Sequence, residues 1–291
     1  MEKMSEKKKK IDPPRCIVLP LLSGSGSKFN GIGLAVHFLL GNVIALHTRF
    51  REFWFGWRVG KVFKNANDLK AYNRGKAPSP NIKELGPEQE IRIWLKGRLQ
   101  GSEGESKTEL TLVDIEKESE DRSGPFVLDF DQNLIEFRTG FLTWLERCGF
   151  PIPESRRQKV LWPEAASPRG FDCLGRALEA FYIFSAWEGT ALEPIWFERA
   201  VSEIPNSYMA NNLKGWALYR NKDYASARKS FERALEINLD GVAAVGGMMW
   251  CGIVTGDEKE AYHWSAVKAD LLMISIDGVQ QKTARLLEKY R

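Results

Sequence analysis

Cysteine and histidine are scarce in this chain of 291 residues, which holds four of the first and three of the second. Cys16, Cys148, Cys173 and Cys251 stand 132, 25 and 78 residues apart, with no Cys-x-x-Cys and no cluster of ligand spacing. That excludes a disulfide scaffold and a zinc ribbon, and reads as free thiols in a reducing cytoplasm. His37 and His47 lie ten residues apart with no carboxylate or cysteine four positions on. They read as solvent-facing or capping histidines, and neither a metal nor a cofactor is expected. Excess charge is missing too: the net charge is +4, and the opening MEKMSEKKKK, with five lysines against two glutamates, supplies +3 of it. A nearly neutral body lacks the basic face that neutralises phosphates, so no nucleic-acid partner is expected. The apolar run Cys16 to Leu22 is short and broken by Pro20, unlike a secretory signal.

Catalytic templates are absent as well. The loop Ser23 to Lys28 precedes a helical stretch, where amides attract anions. However, Phe29 and Val36 stand where a dinucleotide fingerprint needs small residues, and Lys28 does not follow the Walker pattern. No nucleophile has a suitable neighbour, so the chain reads as non-enzymatic. Phe29 to Thr48 carries no formal charge over 20 residues. Its polar and small residues, Gly33, His37, Gly41 and Thr48, share one helical stripe. That suits a core helix with one edge to water, with a membrane segment as the alternative.

With 43% hydrophobic and 27% charged residues, the composition is that of a soluble globular protein, and at about 150 residues per domain the length predicts two domains. Residues 1–15 read as a basic disordered arm. Cys16–Leu22 follows as a strand, then a helix over 29–48, a strand at Phe53–Phe63 and a short helix at Asn67–Asn73. A hairpin is expected of Trp94–Gln100 and Glu109–Ile115, with the acidic run Glu116–Asp121 as a solvated turn. Phe126–Phe130 reads as a strand and Gln132–Cys148 as a helix, with Asp131 as its N-cap and Gly149 as its stop. Residues 16–149 thus read as an α/β domain, a mixed sheet with flanking helices. Pro151, Pro153, Pro163 and Pro168 mark a linker over 150–170. From 171 to 291 no strand pattern remains and an all-α array of helical hairpins is expected.

Within that array Phe197-Glu198-Arg199-Ala200 recurs as Phe231-Glu232-Arg233-Ala234, a shift of 34 that also carries Trp216 to Trp250, Asp223 to Asp257 and Ala227 to Ala261. Gly215, Leu218, Tyr224, Ala227, Phe231 and Ala234 occupy the helix-packing positions of the tetratricopeptide repeat, which this region resembles. The flanking units are degenerate, with Glu193, Ser265 and Lys268 at packing positions, and Val279–Tyr290 reads as a terminal capping helix. More loosely, residues 16–149 resemble the α/β domain that opens TolB-type proteins and precedes repeats in bacterial regulators. The resemblance rests on Ile17–Leu22, the loop ending at Gly31, KELGPEQEIRIWLKGRL and TELTLVD.

The repeat resemblance implies a groove for a protein or peptide partner. Tyr182, Trp216 and Trp250 fall at one repeat position that faces this groove in the family, with Asn212, Tyr219 and Arg220 beside them. These six are the candidate contact residues, since aromatic and Arg side chains dominate protein interfaces. The competing reading packs the rings against the next helix or the α/β domain. The expected function is a non-catalytic scaffold or adaptor. Its alternative is a regulatory protein that senses a nucleotide or other anion at Ser23–Lys28. Self-association is a further use of the outer repeats.

Overall fold

The computed structural model describes residues 15–23, 31–48, 50–52, 66–73, 76, 91–101, 106–157, 164–183, 195–272 and 274–290. The strand expected at Phe53–Phe63 and the basic arm before Arg15 lie outside them. The described chain begins with β1 (Arg15–Val18) and β2 (Leu22–Ser23), two short pieces separated at Pro20, which has no N–H to give a ladder. Helix α1 (Ile32–His47), the two-residue β3 (Arg51–Glu52) and α2 (Ala66–Asn73) follow. Next come β4 (Ile91–Gln100), β5 (Lys107–Asp114) and β6 (Ser119–Val127). The sheet runs β3-β1-β4-β5-β6, with β2 also on β4. Its β1 pairs are parallel, and the expected hairpin forms the antiparallel side, with Lys96 opposite Thr111.

Several expectations for this domain need correction. The acidic run Glu116–Asp121 is only partly a turn: β6 begins at Ser119, inside it. An edge strand needs no apolar alternation, and here ladder bonds to β5 and the Lys96–Glu120 ion pair at 3.5 Å hold it. The strand expected at Phe126–Phe130 is therefore the tail of β6, followed by a 3-10 turn at Phe130–Gln132. Helix α3 (Ile135–Arg147) is capped by Asp129 rather than Asp131, its carboxylate accepting from the N–H groups of Glu136 (2.9 Å) and Phe137 (3.1 Å).

Helix α1 is not edged with water. Fifteen of its residues are buried, Gly33, His37 and Gly41 among them. The small stripe exists for contact: a Cβ on Gly33 would lie 2.1 Å from the carbonyl oxygen of Leu21. His37 and His47 are both buried, not solvent-facing. His37 Nδ1 lies 3.2 Å from the Leu34 carbonyl and His47 Nδ1 2.9 Å from that of Arg156, and burial pushes His37 down to about 3. Among the described residues, no helix is long and apolar enough to cross a membrane.

Among its described residues the proline-rich stretch contains the helical turn α4 (Glu154–Arg157), and beyond it the described elements are all helices. The hairpins are α5 (Pro168–Ile183) with α6 (Ile195–Glu203), α7 (Tyr208–Arg220) with α8 (Tyr224–Ile237), and α9 (Val242–Thr255) with α10 (Glu258–Leu272). Helix α11 (Ile276–Tyr290) packs against α9 and α10. The 34-residue period has a visible cause. Asp223 and Asp257 each start a second helix, accepting from Ser226 N at 3.1 Å and Glu260 N at 3.0 Å. Phe197, Ala200, Phe231 and Ala234, the repeated tetrad's apolar members, are all buried.

The array and the sheet share one continuous apolar core, running from Cys16 to Cys251. Both ends of α1, about 24 Å apart at 1.5 Å per residue, are fastened. At its start Gly31 crosses Gly175 of α5 so closely that a Cβ on Gly175 would meet the Gly31 carbonyl oxygen at 1.7 Å. At its end Arg156 donates to the carbonyls of Ala45, Leu46 and Thr48 and, through its other terminal nitrogen, to Leu271 of α10 at 3.0 Å. Arg156 thus fastens the end of α1 to α10.

Candidate protein-docking surface

Helix α7 starts at Ser207, whose hydroxyl accepts from Ala210 N at 3.0 Å, and ends where Lys222 takes φ 64 before Asp223 opens α8. The helices of this hairpin meet through Gly215. A Cβ there would come within 2.5 Å of the Phe231 ring, and one on Gly247 of α9 within 2.3 Å. Phe231 therefore fills the space between three helices, and only glycine opposite it lets them close.

That packing fixes the face of α7 on which Asn212, Trp216, Tyr219 and Arg220 recur at helical spacing. Trp216 meets Tyr219 edge-on at 5.6 Å and Phe231 at 5.4 Å, and Tyr219 meets Tyr224 at 5.4 Å. Trp216 also approaches Gly246, one turn before Trp250 on α9. Trp250 in turn lies 6.2 Å from Tyr290 of α11. Burial, then the neighbouring Tyr224 and Tyr290 phenols, push the Tyr219 hydroxyl up to about 12. The ring contacts form two groups, Trp216, Tyr219, Tyr224 and Phe231 on α7 and α8, and Trp250 with Tyr290 on α9 and α11, with the Tyr290 phenol in electrostatic reach of Tyr219. Trp216, Tyr219 and Trp250 are half-buried, while Tyr290 is 49% exposed.

Arg220 follows Tyr219 on α7, with its guanidinium 5.0 Å above the Phe181 ring of α5. Burial pushes it below the ordinary arginine range, the Tyr219 neighbour acting weakly the other way, and among the described residues no carboxylate pairs with it. Asn212 departs from its expected role: it is 1% exposed, so it lies beneath the surface, its Oδ1 without a hydrogen-bond partner among the described residues. The side chain of Tyr182 lies outside the described residues. Sequence reasoning read Tyr224 as a packing residue and Tyr290 as part of a capping helix, placed neither at this surface, and passed over Phe181. Tyr290 is the last apolar residue of the capping stretch, and that position was the one available signal.

The anion site considered at Ser23–Lys28 falls largely outside the described residues. The helix start it leads to is already filled, because Asp172 of α5 accepts from Gly31 N at 2.8 Å while pairing with Arg176 at 2.8 Å. Among the described residues, no group of His, Cys, Asp and Glu could hold a metal ion.

Residues 209–240 match the family model of the tetratricopeptide repeat. The matched stretch is α7 with α8, the hairpin that holds Trp216, Tyr219 and Arg220, and the other hairpins extend it into an array. The comparison with curated proteins gives no match.

Proposed function

We propose that this protein is a non-catalytic adaptor that docks a protein or peptide on the aromatic surface of its repeat array, the α/β domain serving as a rigid mount. Repeats of this family generally mediate protein–protein contact, which supports the coarser reading of a protein-binding module. The observation that carries the finer one is this surface: Trp216 and Tyr219 of α7, and Trp250 with Tyr290 on α9 and α11, beside an Arg220 that no carboxylate pairs with among the described residues. Half-exposed rings are rewarding to cover, and Trp, Tyr and Arg are the side chains enriched where proteins bind one another. We read the α/β domain as TolB-like and the protein as a bacterial, cytoplasmic one, with no nucleic-acid partner. The alternative, anion sensing at the start of α1, is disfavoured by the Asp172 carboxylate already seated there.

Arg220→Glu tests docking, because the side chain is exposed and its packing contact is the guanidinium over the Phe181 ring. In affinity capture from the native host, the wild type should retain a discrete partner that the variant loses, at unchanged circular dichroism and melting temperature. Retention by the variant would remove the surface from the account.

A further inference from the structure

A cleft of about 600 Å³ opens on one face of the antiparallel side of the sheet, lined in part by Lys96 and Arg98 of β4, Glu109 and Thr111 of β5, Arg122 of β6 and Tyr72 of α2. Small-molecule sites are of this size. Alternate residues of a strand share a face, and the register sets Lys96, Thr111 and Arg122 side by side across three strands, with Arg98 opposite Glu109 in a neighbouring row. The backbones of Lys96 and Arg122 are two strand spacings apart, about 10 Å, and their side chains meet over β5. There Lys96 Nζ lies 3.5 Å from the Glu120 carboxylate, which an Arg122 terminal nitrogen also approaches to 3.4 Å. Lys96 Nζ stands 5.0 Å over the Trp94 ring as well. Among the described residues Arg98 pairs with no carboxylate, and the Thr111 hydroxyl makes no hydrogen bond. Three cations thus stand against two carboxylates, and two of the three already converge on an oxyanion.

We propose that this cleft binds a small phosphate-bearing molecule, its phosphate bridging Lys96 and Arg122 over Thr111 and the remainder lying toward Arg98 and Glu109. The row offers an ammonium, a hydroxyl and a guanidinium, and a phosphate has an acceptor oxygen for each. The Glu120 carboxylate holds only the two cations and leaves Thr111 unused. Its ion pairs are long and its side chain is 43% exposed, so it exchanges readily for a better oxyanion. Glu120 is therefore an internal competitor for the seat. In the neighbouring row Glu109 accepts from a ligand hydroxyl while Arg98 holds a second oxygen, which favours a sugar phosphate over the free ion. The site lies within the α/β domain and binds whether or not the array docks a partner, so that domain takes a ligand of its own besides serving as a mount.

The test is the 31P resonance of ribose 5-phosphate, and separately of inorganic phosphate, titrated with the full chain at neutral pH. Wild type is compared with Arg122→Gln, Glu120→Gln and, as an equal change of charge on the array, Arg233→Gln. All three side chains are well exposed, and circular dichroism checks that the fold is kept. Saturable broadening is expected with wild type and with Arg233→Gln. Arg122→Gln deletes a charge-assisted donor and should weaken binding about tenfold, whereas Glu120→Gln removes the competitor and should tighten it severalfold. The tighter of the two probes tells whether the source is a sugar phosphate or the free ion. Absence of saturable broadening with both probes would overturn the proposal. So would equal losses in Arg122→Gln and Arg233→Gln, or weaker binding in Glu120→Gln.

Discussion

Gly215 and Phe231 give the sharpest quantitative test of how the repeat is built. Phe231→Ala empties a fully buried site between α7, α8 and α9 and should cost about 3–5 kcal/mol. Gly215→Ala places a methyl 2.5 Å from that ring, so overpacking of about 1–3 kcal/mol is set against a helix-propensity gain of about 1 kcal/mol. The net effect in wild type is a loss. In the Phe231→Ala background the ring is gone and only the propensity gain remains, so the same alanine should stabilise. A double-mutant cycle by urea unfolding, monitored by circular dichroism, should give a favourable coupling of about 1 kcal/mol or more with a change of sign. An equal cost of Gly215→Ala in both backgrounds would show that this ring does not fill the space facing that glycine.

Asp172→Ala removes the carboxylate at the start of α1 and should cost about 1 kcal/mol in thermal unfolding, while leaving nucleotide binding no stronger. Arg156→Met deletes a charged donor to four carbonyls at the ends of α1 and α10. A loss of about 1.5–3 kcal/mol is expected by chemical denaturation, and a neutral result would refute the fastening. His37, held at about 3 in the folded chain against 6.5 when free, contributes stability above pH 6.5 that is lost as the pH falls toward 3. His37→Gln should flatten that acid limb of the melting-temperature profile.

The repeat was legible because its spacing is imposed by contact. Phe197 and Phe231, Ala200 and Ala234, Asp223 and Asp257 each recur where the same packing or capping task recurs. The hairpin of β4 and β5 was legible for a similar reason, as half-buried strands must alternate. What escaped were features that depend on distant partners. Nothing local marks Asp129 over Asp131 as the cap of α3, since both acids precede the helix and only the intervening 3-10 turn selects one. Burial of α1 on all sides, with its histidines, follows from α5 crossing at Gly175, 144 residues beyond Gly31. Asn212 shows the same limit, because a helical stripe tells which residues share a face but not how much of that face another element covers.

The adaptor reading is tested most directly by a photo-crosslinking amino acid at position 220, with a second copy of the experiment at the exposed Arg122 of β6 as reference. Irradiation in the native host followed by mass spectrometry should yield a defined protein adduct from position 220 and none in common from position 122. Identical adduct patterns from the two positions, or no adduct at 220, would contradict it.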